Sequence, residues 1–188
     1  MGLRITGDEH ADEVLSTNAF ALVAGMLLDQ QFPMERAFAG PAKVLDRFGT
    51  LDPAAIADAP PEEFAALCAV PPVVHRFPSS MAARLQDLAR HVVSTYDGDV
   101  SRMWSEADSG AELLRRVQAL PGFGKQKSQI FVALLGKQLD VTPDGWQEAA
   151  GAYADPGAFR SVADVRDPAS LEKVRAFKKE QKAQAKTR

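Results

Sequence analysis

The chain has 188 residues, enough for one domain or two small lobes sharing a core. Hydrophobic residues make up 46%, which allows a sizeable interior, and no apolar run reaches the length of a membrane span. A single cysteine, Cys68, excludes an intramolecular disulfide and a cysteine-ligated iron–sulfur cluster, and the net charge of −3 argues mildly against a dedicated nucleic-acid binder.

Alanine and leucine are abundant and β-branched runs are few, so the expected fold class is all-α. A first short helix is expected over 8–14. Asn18 is placed to cap a second, in which Phe20, Leu22, Val23, Met26 and Leu27 form an apolar stripe that ends near Gln31 and Phe32. A third spans roughly 34–48 and closes on Gly49. Asp52 caps a short turn of helix with Pro53 at its first position. Pro60 and Pro61 open another helix to about Ala69, with Cys68 as a buried small hydrophobe. Pro71 and Pro72 break the chain. Ser79 or Ser80 is expected to cap a longer helix to about Tyr96, followed by an Asp97-Gly98-Asp99 turn and a short helix from Ser101. Two helices over about 110–138 then flank a glycine turn. A loop through Pro143 and Asp144 leads to a short helix, 151–168 read as irregular, and Ser170 is expected to cap a last helix. The reading is about ten helices and no strand. It gives a single domain over 1–168, then a basic helix or tail over 169–188.

The glycine turn carries the most information. Leu120, Pro121, Gly122, Phe123, Gly124, Lys125, Lys127 and Ser128 lie between two apolar-periodic segments. Gly122 and Gly124 are free to take positive φ. A small turn of this kind leaves backbone N–H groups unpaired at the N-terminus of the second helix. Those groups, with the positive end of the helix dipole, form a site for one anion, and Lys125 and Lys127 add charge beside it. An anion held mainly by backbone amides suggests a nucleic-acid phosphate, which positions a duplex without reading its sequence. The alternative is a plain structural connector between helices. Residues 173–188 carry Lys173, Arg175, Lys178, Lys179, Lys182, Lys186 and Arg188 against Glu180 alone, which fits a solvated terminus or a salt-sensitive phosphate contact. His10, His75 and His91 are too scattered to suggest a metal site by spacing, and no nucleotide-binding loop is present. No metal and no cofactor are therefore expected. The first ten residues hold no signal-peptide core, so the expected location is cytoplasmic, at the nucleoid, with DNA as partner, no membrane association and a monomeric state.

The string from Leu120 to Ser128 resembles the helix-hairpin-helix of DNA-repair glycosylases, and the similarity to the HhH-GPD superfamily extends over about residues 15–150. Met26 to Gln31 resembles the segment after the first core helix, where the family carries a glutamine near the lesion. Arg76, Phe77 and Pro78, with the helix to Tyr96, resemble the entry to the second half of the helical lobe. The resemblance implies a two-lobed helical fold and a cluster-free base-excision enzyme. The family's catalytic aspartate, counted forward from the hairpin, falls on Asp144, with Asp140 and Asp29 as alternatives. Here Gly145 and Trp146 follow it, where the family continues into a helix with a Thr-His-Val type of run. Bifunctional members place a nucleophilic lysine where this chain has Gln126, which implies a monofunctional enzyme that uses water.

By the same resemblance Gln31, or Gln30, fills the gap left by a flipped nucleotide. Asp29, Phe32, His75 and Trp146 are candidates for the base pocket, with Trp104, Tyr96 and Phe77 as further aromatics. Alkylated purines are the expected substrates, then deaminated bases. A non-catalytic module that binds distorted DNA, and a helical protein–protein adaptor, are the competing readings.

Overall fold

The computed structural model describes residues 2–188. Eleven α-helices and two 3-10 turns follow one another, and there is no strand among the described residues. α1 (Glu9–Thr17) is capped by Asp8, whose side chain accepts from the Ala11 N–H. Asn18 caps α2 (Ala19–Leu28) in the same way through Ala21. Every residue of α2 from Phe20 to Leu28 is buried, so this helix is apolar all round and forms the centre of the molecule.

α3 (Met34–Phe48) packs closely on α2. A Cβ at Gly25 would lie 2.6 Å from the Phe38 ring, and one at Gly40 would lie 2.7 Å from Leu28, so both glycines set the spacing of the two helices. Gly49 closes α3 in the left-handed conformation, as the sequence predicts. α4 (Pro53–Asp58) and α5 (Pro61–Ala69) begin on prolines. Asp52 occupies the cap position of α4 but makes no side-chain cap bond. α6 (Pro78–Tyr96) starts earlier than the serines suggest. Pro78 sits at its first position and Phe77 is the cap residue, so Ser79 and Ser80 lie inside the helix and do not cap it. Helices α1 to α6 form one group, with α4 and α5 laid against α6.

The second group is built on the hairpin. After α7 (Arg102–Ser105), α8 (Gly110–Gln118) is capped by Ser109, and α9 (Lys125–Leu139) follows the turn. α10 (Trp146–Ala150) packs on both α8 and α9. The irregular stretch resolves into 3-10 turns at Gly151–Ala154 and Val162–Asp164. The last helix, α11 (Pro168–Lys186), is capped by Asp167. Ser170 is the reciprocal partner three residues on, which corrects its assignment as the cap. Lys137 and Asp164 form an ion pair at 2.6 Å that holds the second 3-10 turn on α9.

Gly110 is required by the contact of α8 with α10. A Cβ there would collide with the backbone of Gly145 and Trp146. Gly110→Ala is therefore expected to lower stability by about 1–3 kcal/mol, read as a fall in Tm, because the atoms it would strike are backbone and cannot swing aside as a side chain can.

Candidate nucleic-acid interface

The hairpin turn is rigid from within. Leu120 and Phe123 are buried, Phe123 meets Phe131 edge-on, and the Phe123 N–H donates to the Leu120 carbonyl at 3.1 Å. Gly122 has φ +84°, so its glycine is conformationally required. Gly124 does not take positive φ: it is an extended N-cap with φ −81°. A Cβ on Gly124 would meet no protein atom within 4 Å. Nothing in the fold demands glycine there, which leaves room for a group that approaches from outside. The first intrahelical bond of α9 runs from the Ser128 N–H, and the amides of Lys125, Gln126 and Lys127 have no partner among the described residues. Three N–H groups thus point out of the positive end of a helix of 15 residues, with Lys125 exposed beside them.

The expected phosphate contacts divide in two. Ser128 is fully buried and donates its hydroxyl to the Gly124 carbonyl at 2.7 Å, so with Leu120 and Phe123 it builds the turn and does not face solvent. Lys127 also turns inward. Its Nζ donates to the carbonyls of Met26 at 2.6 Å and Asp29 at 3.1 Å, with Leu27 at 3.4 Å. These are carbonyls of the last turn of α2 and of its C-cap residue, so a cation from the hairpin caps the central helix. Burial pushes the Lys127 ammonium down to about 8, and the neighbouring Asp29 carboxylate opposes that shift. Gln126 stands on the exposed side and donates its amide to the Tyr153 hydroxyl at 2.9 Å.

Beside the turn lies the loop that ends α2. Gln30 is held twice: its amide donates to the Leu27 carbonyl at 2.8 Å, and its oxygen accepts from Arg84 at 3.1 Å. Gln31 is exposed and adopts a left-handed φ of 51°, which is strained for a residue with a side chain. His75 is buried under this loop. Its Nε2–H donates to the Gln30 carbonyl at 2.9 Å and its Nδ1 accepts the Phe77 N–H at 3.0 Å, which sets a single neutral tautomer. The His75 ring packs 4.8 Å from that of Phe32 and 5.9 Å from that of Phe77. Arg36 covers Phe32 and Arg76 covers Phe77, and Phe77 is 41% exposed, so an aromatic surface edged by guanidinium groups flanks the hairpin.

Asp29 lies in the seam between the two helix groups. Its side chain is 12% exposed, and its carboxylate faces Lys178 of α11 at 4.0 Å. Burial pushes its carboxyl up, Lys178 and Lys127 pull it down, and Glu35 pushes it up again. Glu35 itself pairs with Arg175, so α11 is tied to the ends of α2 and α3 by two ion pairs. Sequence reasoning did not reach Arg84, Tyr153 or Glu35, nor the pairings of Arg175 and Lys178. No local pattern marks them, because each meets its partner across the fold.

Asp144 is not brought to the hairpin. It is exposed in the turn before α10, and its carbonyl accepts from Gly110 N–H at 2.8 Å, at the start of α8. The nine residues of α8 put that point about 13 Å from the glycine turn. Asp140 is the exposed C-cap of α9, at the same far end. Trp146 lies against Gly136 there, and so packs in the second helix group rather than beside Phe32 and His75. Trp104 meets Phe131 beneath the turn, and Tyr96 meets His91 at the end of α6. Among the described residues no group of three or more His, Cys, Asp or Glu is arranged to hold a metal, and no single helix is long and apolar enough to cross a membrane.

An all-helical chain that presents the open amide end of a hairpin helix, beside a glutamine loop and an aromatic surface, has the architecture of a helix-hairpin-helix DNA-repair protein. The chain belongs to the HhH-GPD superfamily: the family profile described as HhH-GPD superfamily base excision DNA repair protein matches residues 24–187. Members of that family are mostly DNA glycosylases, and membership implies binding to DNA. No curated protein and no solved structure matches the chain significantly.

Two outcomes follow from the side chains that hold the site. Lys127→Met keeps the stem of the side chain but leaves the Asp29 carbonyl without its donor and takes the charged donor from Met26 and Leu27, and is expected to lower stability by about 2 kcal/mol in denaturant unfolding. In a histidine titration followed by NMR, His10, raised by Asp46, is expected to protonate above the ordinary value, and His75 and His91, lowered by burial, below it. The sign for His75 follows. Its folded value is depressed, so its contribution to stability is complete above the unfolded value near 6.5 and is lost as the pH falls below that, when Nδ1 gains a proton and gives up the Phe77 N–H.

Proposed function

We propose that the protein is a monofunctional DNA glycosylase that removes a damaged base, with alkylated purines the first expected substrates and deaminated bases the second. The observation that carries the reading is the open amide end of α9 with its empty approach at Gly124. Its first turn is anchored through Lys127 to the segment that bears Asp29, Gln30 and Gln31. A phosphate held on those amides sets a duplex against that segment.

A base within a duplex is out of reach and has to be extruded. Gln31 suits the role of filling the gap better than Gln30, since Gln30 is held by Arg84 and Leu27 while Gln31 projects into solvent. Phe77, exposed and backed by His75, offers a face on which an unpaired base stacks in place of the Arg76 guanidinium that now lies over it. Cleavage of the bond to the sugar passes through an oxocarbenium-like state that a nearby carboxylate stabilises. Asp29 is the carboxylate nearest to the hairpin in this arrangement, and we assign that role to it in preference to Asp144. A lyase step has no amine at the family's position, and the exposed Lys125 lies about 100° around the helix from it. Gln126 holds the position of the family's lysine, and the Lys127 ammonium is engaged by carbonyls.

The second reading is a binding module without chemistry. It is favoured by the Lys178 contact, which already covers the Asp29 carboxylate. Base release separates the two. Duplexes carrying a single alkylated adenine, hypoxanthine, uracil or oxidised guanine are incubated with the wild type, Asp29→Asn and Asp144→Asn, and abasic sites are revealed by alkali. Release by the wild type, unchanged in Asp144→Asn and lowered 100-fold or more in Asp29→Asn, is the expected result, about 3 kcal/mol of lost transition-state stabilisation. Loss confined to Asp144→Asn would return the role to that residue. No release from any lesion, with duplex binding intact, would establish the module.

A further inference from the structure

The last ten residues of the chain, 179–188, are all exposed, yet α11 continues as a helix to Lys186. A helix that packs on nothing needs a reason to persist, since polar segments gain no burial. Its charges are also arranged against it. Arg175, Lys178, Lys179, Lys182 and Lys186 are spaced at three, four, seven and eleven residues from the first, and at 100° per residue they fall within a stripe about 100° wide. Like charges at these spacings weaken an isolated helix. Glu180 is on the opposite side.

The direction of the stripe is set by its first two members. Arg175 pairs with Glu35 and Lys178 faces Asp29, and the Asp29 carbonyl accepts from Lys127 in the first turn of α9. The remaining three cations, Lys179, Lys182 and Lys186, continue the same face of α11 along its exposed end. From Lys179 to Lys186 is about 10 Å of helix, close to three phosphate steps at ~3.4 Å of duplex axis per strand. Lys173 is directed elsewhere, over the Phe159 ring at 4.5 Å.

We propose that the end of α11 is a second DNA-contacting element: Lys179, Lys182 and Lys186 lie along the phosphate backbone of the duplex that the hairpin holds. The proposal rests on the reading of the hairpin as a DNA site. It accounts for a protein of net charge −3 that binds a polyanion, because the positive charge is gathered on one stripe next to the bound strand. The arm reads no sequence. It lengthens the footprint and supplies affinity that salt removes.

The test is the salt dependence of duplex binding, with the full-length wild type, the triple variant Lys179→Gln/Lys182→Gln/Lys186→Gln, and Lys125→Gln at the hairpin. The three arm positions are exposed, so the triple variant is expected to keep the wild-type Tm. The expected result is a plot of log affinity against log salt that is shallower than the wild type by about 2.7, or 0.9 for each phosphate contact. Lys125→Gln is expected to lower the slope by about 0.9, independently of the arm. An unchanged slope in the triple variant, with the Lys125→Gln effect present, would overturn the arm and leave the hairpin reading standing. Binding by the wild type that does not respond to salt would overturn both.

Discussion

The Lys127 ammonium on the C-terminal carbonyls of α2 is the interaction on which the arrangement of this protein depends. α2 is buried on every side, so its last carbonyls have no water to turn to. The Asp29 and Gln30 amides and the Gln30 side chain meet some of them from nearby, and Lys127, from as far as 101 positions away in sequence, adds a donor to Met26 and Leu27 and to the Asp29 carbonyl just beyond them. The bond is charge-assisted, and its donor belongs to the first turn of the hairpin helix. Docking the hairpin and finishing the central helix are therefore the same event, and the open amides of α9 cannot drift relative to the glutamine loop.

The charged seam follows from that contact. Where α2 ends, Asp29 turns into the gap between the two helix groups, and the Met34 end of α3 brings Glu35 alongside. Two carboxylates in a confined space require cations, and α11 supplies Lys178 and Arg175. The result joins three parts of the chain that are far apart in sequence. It also places a nearly buried carboxylate near the open N-terminal end of α9. His75 contributes from below, since its neutral tautomer ties the Gln30 carbonyl to the Phe77 amide and fixes the spacing of glutamine loop and aromatic surface.

Much of the helical framework was legible from neighbours in sequence. Asn18 caps α2, Gly49 ends α3, Pro53 opens α4 and Gly122 takes positive φ, each through a bond or a steric rule confined to a few residues. The errors were of the same local kind. Ser79, Ser80 and Ser170 are good cap residues by type, but Pro78 had already started α6, and Asp167 made the stronger bond at α11. The sequence leaves Gly124 free to take positive φ, whereas its φ of −81° suits any residue and its freedom is on the outside. Lys127 and Ser128 were expected at a phosphate because they follow the turn. A helix rotates successive side chains by about 100°, so after Gly124 Lys125 faces solvent, Gln126 meets Tyr153 and Lys127 turns in to the end of α2.

What the sequence by itself determined is the all-helical class, the hairpin with its open helix end, and membership of a family whose motifs are contiguous strings. These depend on periodicity, capping and glycine geometry, which act within about one turn of helix. What only the tertiary structure decided is which carboxylate stands beside that hairpin. Counting residues reaches Asp144, but the chain leaves the far end of α9, and the contact of Gly110 with Asp144 and Gly145 keeps that aspartate there. Asp29 arrives instead because the end of a buried helix needed a cation, and the cation that met it was on the hairpin. Desolvation and hydrogen-bond completion act on whatever the fold brings together, so they leave no trace in the order of residues along the chain.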